Sequence, residues 1–167
     1  YEPVMEYIRN HPNKPILGIC YGLHLIGYAF KGEVGRMTKI RIPGNQIIHL
    51  ELKRTDEMIP YKEILVNVFH RDYLSPEDLN LQTNFEFMAI YHRKYYKTIQ
   101  YMRHFHRPLY AVQFHPETHD VEYLYQNRYE IENIHATRLF GEEILRNFTV
   151  LAKQINLSHL DVYKKKG

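Results

Sequence analysis

The sequence predicts a three-layer α/β domain, and three observations carry that expectation. A short apolar run at Pro15–Ile19 feeds directly into a helical segment, the mark of a buried strand followed by a helix. A run of further strand-like segments fills the middle of the chain. A terminal amphipathic segment then supplies a helix to cover a sheet face. At 167 residues the chain is long enough for one domain with one good core, and residues 1–167 are expected to form a single domain.

In order, Pro3 with Val4, Met5, Tyr7 and Ile8 reads as a short helix carrying proline in its first turn, ended by His11-Pro12. Pro15–Ile19 is the first strand. Gly22–Phe30 reads as a helix closed by Lys31-Gly32. Residues 33–42 and 46–53 read as strands around the turn Pro43-Gly44-Asn45, and Ile64–Phe69 as another. Phe85–Tyr91 and Thr98–Met102 bracket a polar turn at His92-Arg93-Lys94, and Leu109–Phe114 is the last strong strand. Residues 119–136 are polar and aromatic without a clear period and read as an insertion. Thr137–Ile155 is a helix, because Ile144, Phe148, Leu151 and Ile155 recur at three- and four-residue spacing on one face.

Composition excludes several functions. A formal charge of +3, with basic residues interspersed among 19 acidic ones, makes no electrostatic footprint for nucleic acid. The aromatic and basic stretch Tyr91–His106 reads more simply as two strands than as an RNA surface. No apolar run approaches a membrane span, so no membrane partner is expected. A single cysteine forbids an internal disulfide and fits a reducing, cytoplasmic setting. No metal or cofactor is expected either. His115 and His119 are four apart, but Pro116 breaks the helix that would align them, and His104 and His106 find no further ligands.

Two segments carry chemistry. Gly18-Ile19-Cys20-Tyr21-Gly22 places a cysteine between glycines where a strand turns into a helix, the G-x-nucleophile-x-G pattern of a nucleophile elbow. Such a turn strains the nucleophile's backbone, and flanking side chains are expected to collide there. The sulfur then lies at a helix N-terminus, which favours a thiolate, and the Tyr21 N–H is placed to hold an oxyanion. The second segment is the strand Leu109–Phe114 ending in His115-Pro116-Glu117. A histidine at a strand end reaches over the sheet edge, and a carboxylate two residues on can hold its tautomer. Cys20, His115 and Glu117 are therefore expected as nucleophile, base and orienter.

Together, GICYG at 18–22 and YAVQFHPE at 110–117 resemble the two signature motifs of class I glutamine amidotransferases. Asn147-Phe148 resembles the family's closing motif, and His70-x-Asp72 a degenerate form of its Ser-His-x-Asp segment. The Cys-Tyr-Gly elbow looks most like that of GMP synthetase glutaminase domains. The resemblance implies a flavodoxin-like three-layer sandwich with a mostly parallel central sheet. It also implies hydrolysis of the glutamine side-chain amide through a cysteine thioester, with ammonia passing to a synthetase domain or subunit. Gly18, Tyr21, Gly22, His24, Phe69 and His70 fall at its substrate-binding positions. Three departures stand out. His24 replaces the family's common glutamine. Phe69 replaces a serine, in a segment where much of the recognition comes from backbone groups. No glycine-rich loop precedes Pro15, so the family's first βα units are expected to be missing ahead of it. These departures keep two alternatives open: a γ-glutamyl-type amide hydrolase of the same fold, and a catalytically inactive binding domain.

Overall fold

A computed structural model describes residues 1–39, 46–118, 124, 126 and 129–164, the last six of these as helical backbone only. Among the described residues twelve elements follow in chain order. They are α1 (Glu2–Asn10), β1 (Ile16–Ile19), α2 (Tyr21–Ala29), β2 (Val34–Arg36), β3 (Gln46–Glu51), β4 (Glu63–Val68), β5 (Asp72–Leu74), α3 (Leu79–Asn84), β6 (Phe85–Arg93), β7 (Tyr96–His104), β8 (Leu109–Val112) and α4 (Ile131–Lys164).

The central sheet has the order β1-β8-β7-β6. β8 alternates between two cores. Leu109 and Ala111 face a cluster with Leu23 and Ile26 of α2 and Ile8 of α1. Tyr110 and Val112 face a second cluster with β3, β4 and Ile144 of α4. The sheet is thus covered by α1, α2 and α3 on one face and by the β3–β4 hairpin and α4 on the other, which gives the three layers expected. Asn147 ties α4 down through a hydrogen bond from Nδ2 to the Met58 carbonyl (3.2 Å), and Phe148 packs edge-on against Tyr110.

Pairing within that sheet corrects one expectation. Only β1 and β8 run parallel; β8–β7 and β7–β6 are antiparallel, so among the described strands the sheet is mixed rather than mostly parallel. The connections explain this. The two-residue turn Lys94-Tyr95 and the short loop after His104 leave no room for a crossover, whereas β1 and β8 lie far apart in sequence.

Other differences have local causes. The strand expected from residue 33 is only three residues long, because the Met37 N–H bonds to Arg71 and those of Thr38 and Lys39 turn to the Tyr96 hydroxyl. The expected turn Pro43-Gly44-Asn45 lies outside the described residues. α3 is capped by Asp78, whose Oδ1 accepts from the Leu81 N–H (3.1 Å). α4 begins at Ile131, inside the expected insertion. Its buried face starts at Ile134 and passes through Thr137 and Gly141, which do not read as apolar. The rest of that segment, residues 119–123, 125, 127 and 128, is not described.

Candidate active site

Parallel pairing of β1 and β8 is what brings the two sequence segments together. Parallel strands end on the same side, and the Cys20 N–H extends the register by bonding to the Val112 carbonyl (2.8 Å). His115 lies three residues past Val112. Its own N–H bonds to the Asn67 carbonyl (2.9 Å), which carries the chain from β8 toward β4.

The elbow is strained as expected. Cys20 has φ 48° and ψ −98° and forms the N-cap of α2, and it is one of two described non-glycine residues with positive φ. The other, Lys31 (φ 64°), closes the same helix. The two flanking glycines differ. A Cβ on Gly18 would lie 2.7 Å from the Gly22 carbonyl carbon and oxygen and 2.5 Å from Ile26 Cδ1. A Cβ on Gly22 would meet nothing within 4 Å. The expected collision is therefore real at Gly18 and absent at Gly22, which opens onto free space. The N–H groups of Tyr21 and Gly22, first in α2, have no intrahelical acceptor by position.

His115 donates from Nδ1 to Glu117 Oε1 at 2.8 Å, and the Cys20 side chain is near enough to act on the same imidazole. With Nδ1 engaged, Nε2 is the nitrogen left for sulfur. The His115 pKa is raised to about 9, first by Cys20, against the opposing effect of burial, and then by Glu117. Thiol, imidazole and carboxylate are thus neighbours, a set that can move a proton from sulfur to nitrogen and hold the resulting charge.

The remaining expected residues separate into two groups. Tyr21 and Phe69 are exposed, and Tyr21 packs edge-on against Tyr1 and His24. His24 and His70 are buried, at 4% and 7% exposure. His24 Nε2 is 2.9 Å from Gln113 Oε1, and burial lowers its pKa despite Gln113 and Asp72. His70 donates from Nδ1 to the Asp72 carbonyl (2.9 Å), and burial is the main cause of its low pKa of about 4. Gln113 reads from sequence only as a strand residue. It is fully buried, and its Nε2 lies 3.6 Å from the Cys20 sulfur. The available signal is a glutamine interrupting the otherwise apolar Leu109–Phe114 run.

Known proteins place this geometry. Residues 2–127 match the family model described as glutamine amidotransferase class-I. The chain is 34% identical over 146 residues to the glutamine-hydrolyzing GMP synthase subunit of Pyrococcus abyssi, covering 86% of this chain and 63% of that protein. It is 32% identical over 137 residues to the GMP synthase subunit of the same name from Methanococcus aeolicus, covering 80% of this chain and 58% of that protein. The chain thus spans roughly three fifths of the length of these relatives. A crystal structure from Thermoplasma acidophilum, described as a GMP synthase subunit, superposes with a TM-score of 0.67 at 28% identity, over 98% of this chain and 67% of that one. A glutamine amidotransferase from Thermotoga maritima shares the fold with a TM-score of 0.63 at 15% identity, over 90% of this chain and 66% of that one. With the elbow and the His-Pro-Glu strand end brought together on this fold, and a family model matched over most of its length, the chain belongs to the class I glutamine amidotransferases.

Proposed function

We propose that the chain hydrolyses the side-chain amide of glutamine and delivers the ammonia to a synthetase partner, in the manner named for its glutamine-hydrolyzing GMP synthase relatives. The observation that carries this reading is the grouping of Cys20, His115 and Glu117, with His115 held protonated up to about pH 9 chiefly by Cys20.

In this mechanism His115 carries the proton given up by the thiol, and Glu117 orients and stabilises the charged ring. The Cys20 thiolate attacks the amide carbon, and negative charge builds on the amide oxygen. The free N–H groups at the start of α2 lie next to the sulfur and stabilise it. His115 returns its proton to the leaving nitrogen, so ammonia departs and a glutamyl thioester remains. A water molecule, deprotonated by the same imidazole, then cleaves the thioester and releases glutamate. The open space over Gly22 is where the substrate can approach sulfur without meeting a side chain. Glutamine recognition by the Phe69-His70 segment falls to its backbone, since the His70 ring is buried.

A cytoplasmic location goes with this reading, because Cys20 must stay reduced to act and a synthetase and its substrates are intracellular. Among the described residues no helix is long and apolar enough to cross a membrane.

The test is glutamate release from glutamine, with γ-glutamyl peptides as competing substrates. Cys20→Ser should lose nearly all turnover, because the serine hydroxyl is far less acidic than a thiol. Turnover in Cys20→Ser at the unsubstituted rate, or a preference for γ-glutamyl peptides over glutamine, would overturn the reading.

A further inference from the structure

Behind the elbow, Cys20 has a second polar neighbour besides His115. Gln113 sits at the end of β8 with no exposed surface, and its Nε2 is 3.6 Å from the Cys20 sulfur. Its Oε1 is 2.9 Å from Nε2 of His24, which is itself 4% exposed. The three side chains form a continuous chain of contacts, His24 to Gln113 to Cys20.

A carboxamide has one end that only accepts and one end that only donates. Its usefulness to sulfur therefore depends on which way it is turned. With Nε2 toward Cys20 it donates to the sulfur and stabilises a thiolate. Turned over, it would set Oε1 against that thiolate, an acceptor facing a negative charge. Strand geometry fixes where the Gln113 side chain lies but not which way its amide faces. That choice is made by what stands at the far end. A histidine whose Nε2 carries a proton can only donate to Oε1, and this forces the donor end toward Cys20.

We infer that Gln113 is a third polar contact of the nucleophile, donating to the Cys20 sulfur, and that His24 is the positioning residue that fixes its orientation from within the protein rather than a contact to substrate. This rests on Cys20 being the nucleophile. A glutamine, common at this position in the family, can donate to Gln113 Oε1 in the same way through its own amide N–H.

Because the chain has one cysteine, its carbamidomethylation by iodoacetamide reads this site alone. His24→Leu and Gln113→Met should each slow the reaction at neutral pH by about three- to fifteenfold, because the loss of one hydrogen bond to a charged group lowers the thiolate fraction while the less stabilised thiolate is the better nucleophile. The double variant should be no slower than the slower single one, because both act through the same bond. His24→Gln should retain most of the rate. Unchanged rates in both single variants, or rate losses that multiply in the double variant, would overturn the inference. Where the Leu or Met variant fails to fold, the unsubstituted protein still decides. With glutamine 15N-labelled, the Gln113 side-chain amide protons should shift when Cys20 is carbamidomethylated, and an unmoved resonance would overturn the inference. None of these readouts uses glutamine as substrate. A protein that fails to turn over glutamine but shows the alkylation pattern refutes the proposed activity alone, and the converse refutes only the role of Gln113 and His24.

Discussion

Gly18 and Gly22 flank the same nucleophile, yet adding one methyl to each should move stability in opposite directions. At Gly18 the new Cβ would sit 2.5 Å from Ile26 Cδ1 and 2.7 Å from the carbonyl group of Gly22. The isoleucine end can swing aside, but the carbonyl belongs to the first turn of α2. Relieving that contact means moving strand and helix apart by roughly 0.8 Å, the shortfall from an ordinary carbon contact of about 3.5 Å. Overpacking of this kind costs about 1–3 kcal/mol. At Gly22 the Cβ meets nothing within 4 Å, and the residue is helical without positive φ. Alanine there should stabilise by about 0.5–1 kcal/mol through helix propensity. The two variants should thus differ by about 1.5–4 kcal/mol in urea unfolding at constant m-value. Activity should separate differently. Gly18→Ala displaces Cys20 relative to His115 and should lose about a hundredfold in kcat, as a displacement near 1 Å does elsewhere. Gly22→Ala leaves the sulfur in place but narrows the open approach to it, so KM for the larger glutamine should rise while carbamidomethylation of Cys20 by the small iodoacetamide stays normal. Gly18→Ala as stable as the unsubstituted chain, or Gly22→Ala clearly less stable, would refute the assignment of Gly18 as the steric requirement of the elbow.

Three further outcomes are expected. Glu117→Ala should reduce kcat for glutamine by roughly a hundredfold or more while changing unfolding free energy by less than about 0.5 kcal/mol, because the carboxylate is partly exposed and its work is to hold the imidazole; steady-state kinetics with parallel urea melts checks both. His115 has its folded pKa raised from 6.5 to about 9, so its stabilising contribution is complete below about 6.5 and is lost as pH rises through about 9; turnover should fall over the upper part of that window as the acid for the leaving ammonia is lost, and in Cys20→Ser, where the largest cause of the shift is gone, the His115 ring followed by NMR should titrate closer to 6.5. Asn67→Leu should be neutral or stabilising by about 1–3 kcal/mol in thermal or urea unfolding, because both polar atoms of the Asn67 side chain are buried without a partner among the described residues, and a clear loss of stability would show that the amide is engaged.

What the sequence made readable follows from how local each signal is. The elbow is written in five consecutive residues, because the strand, the tight turn and the helix start all constrain neighbours. His115 and Glu117 are two residues apart, so their mutual reach needed no knowledge of the fold. That Cys20 and His115 meet does depend on the fold, through the parallel pairing of β1 with β8, and only the joint presence of both motifs stood in for that information. The misses are non-local or short. β5 and α3, at three and six residues, fall below the length at which periodicity has meaning. The buried face of α4 begins with Ile134, Thr137 and Gly141, a pattern that looks polar until the helix is seen to pack there. His24 lies one turn from Cys20 on the same helix, a spacing that places it beside the nucleophile but does not tell the solvent side from the protein side.

The same limit hid the polar character of one end of the sheet. Three strands, β8 and β7 of the central sheet and β4 of the hairpin packed on it, place polar side chains where the site lies. β8 runs Leu109 to Val112 and then reaches Gln113 and His115. β4 carries Ile64 and Val66 before Asn67, and His70 follows its end. β7 runs antiparallel to β8, so its early residues Thr98 and Gln100 come to that end, and its later residues Tyr101 and Met102 lie in the cores. Gln113, Asn67, His70, Thr98 and Gln100 are buried and polar, as is His24, and Gln100 Oε1 joins the Asn67 amide in having no partner among the described residues. Buried polar groups left unpaired are destabilising, so a sheet selected for stability alone would continue its apolar run to the edge. The two apolar clusters on either face hold the fold without help from this end. Its composition is therefore better explained by what stands over it, a cysteine that must carry negative charge and an imidazole that must carry positive charge, both in need of dipoles already in place before the reaction begins.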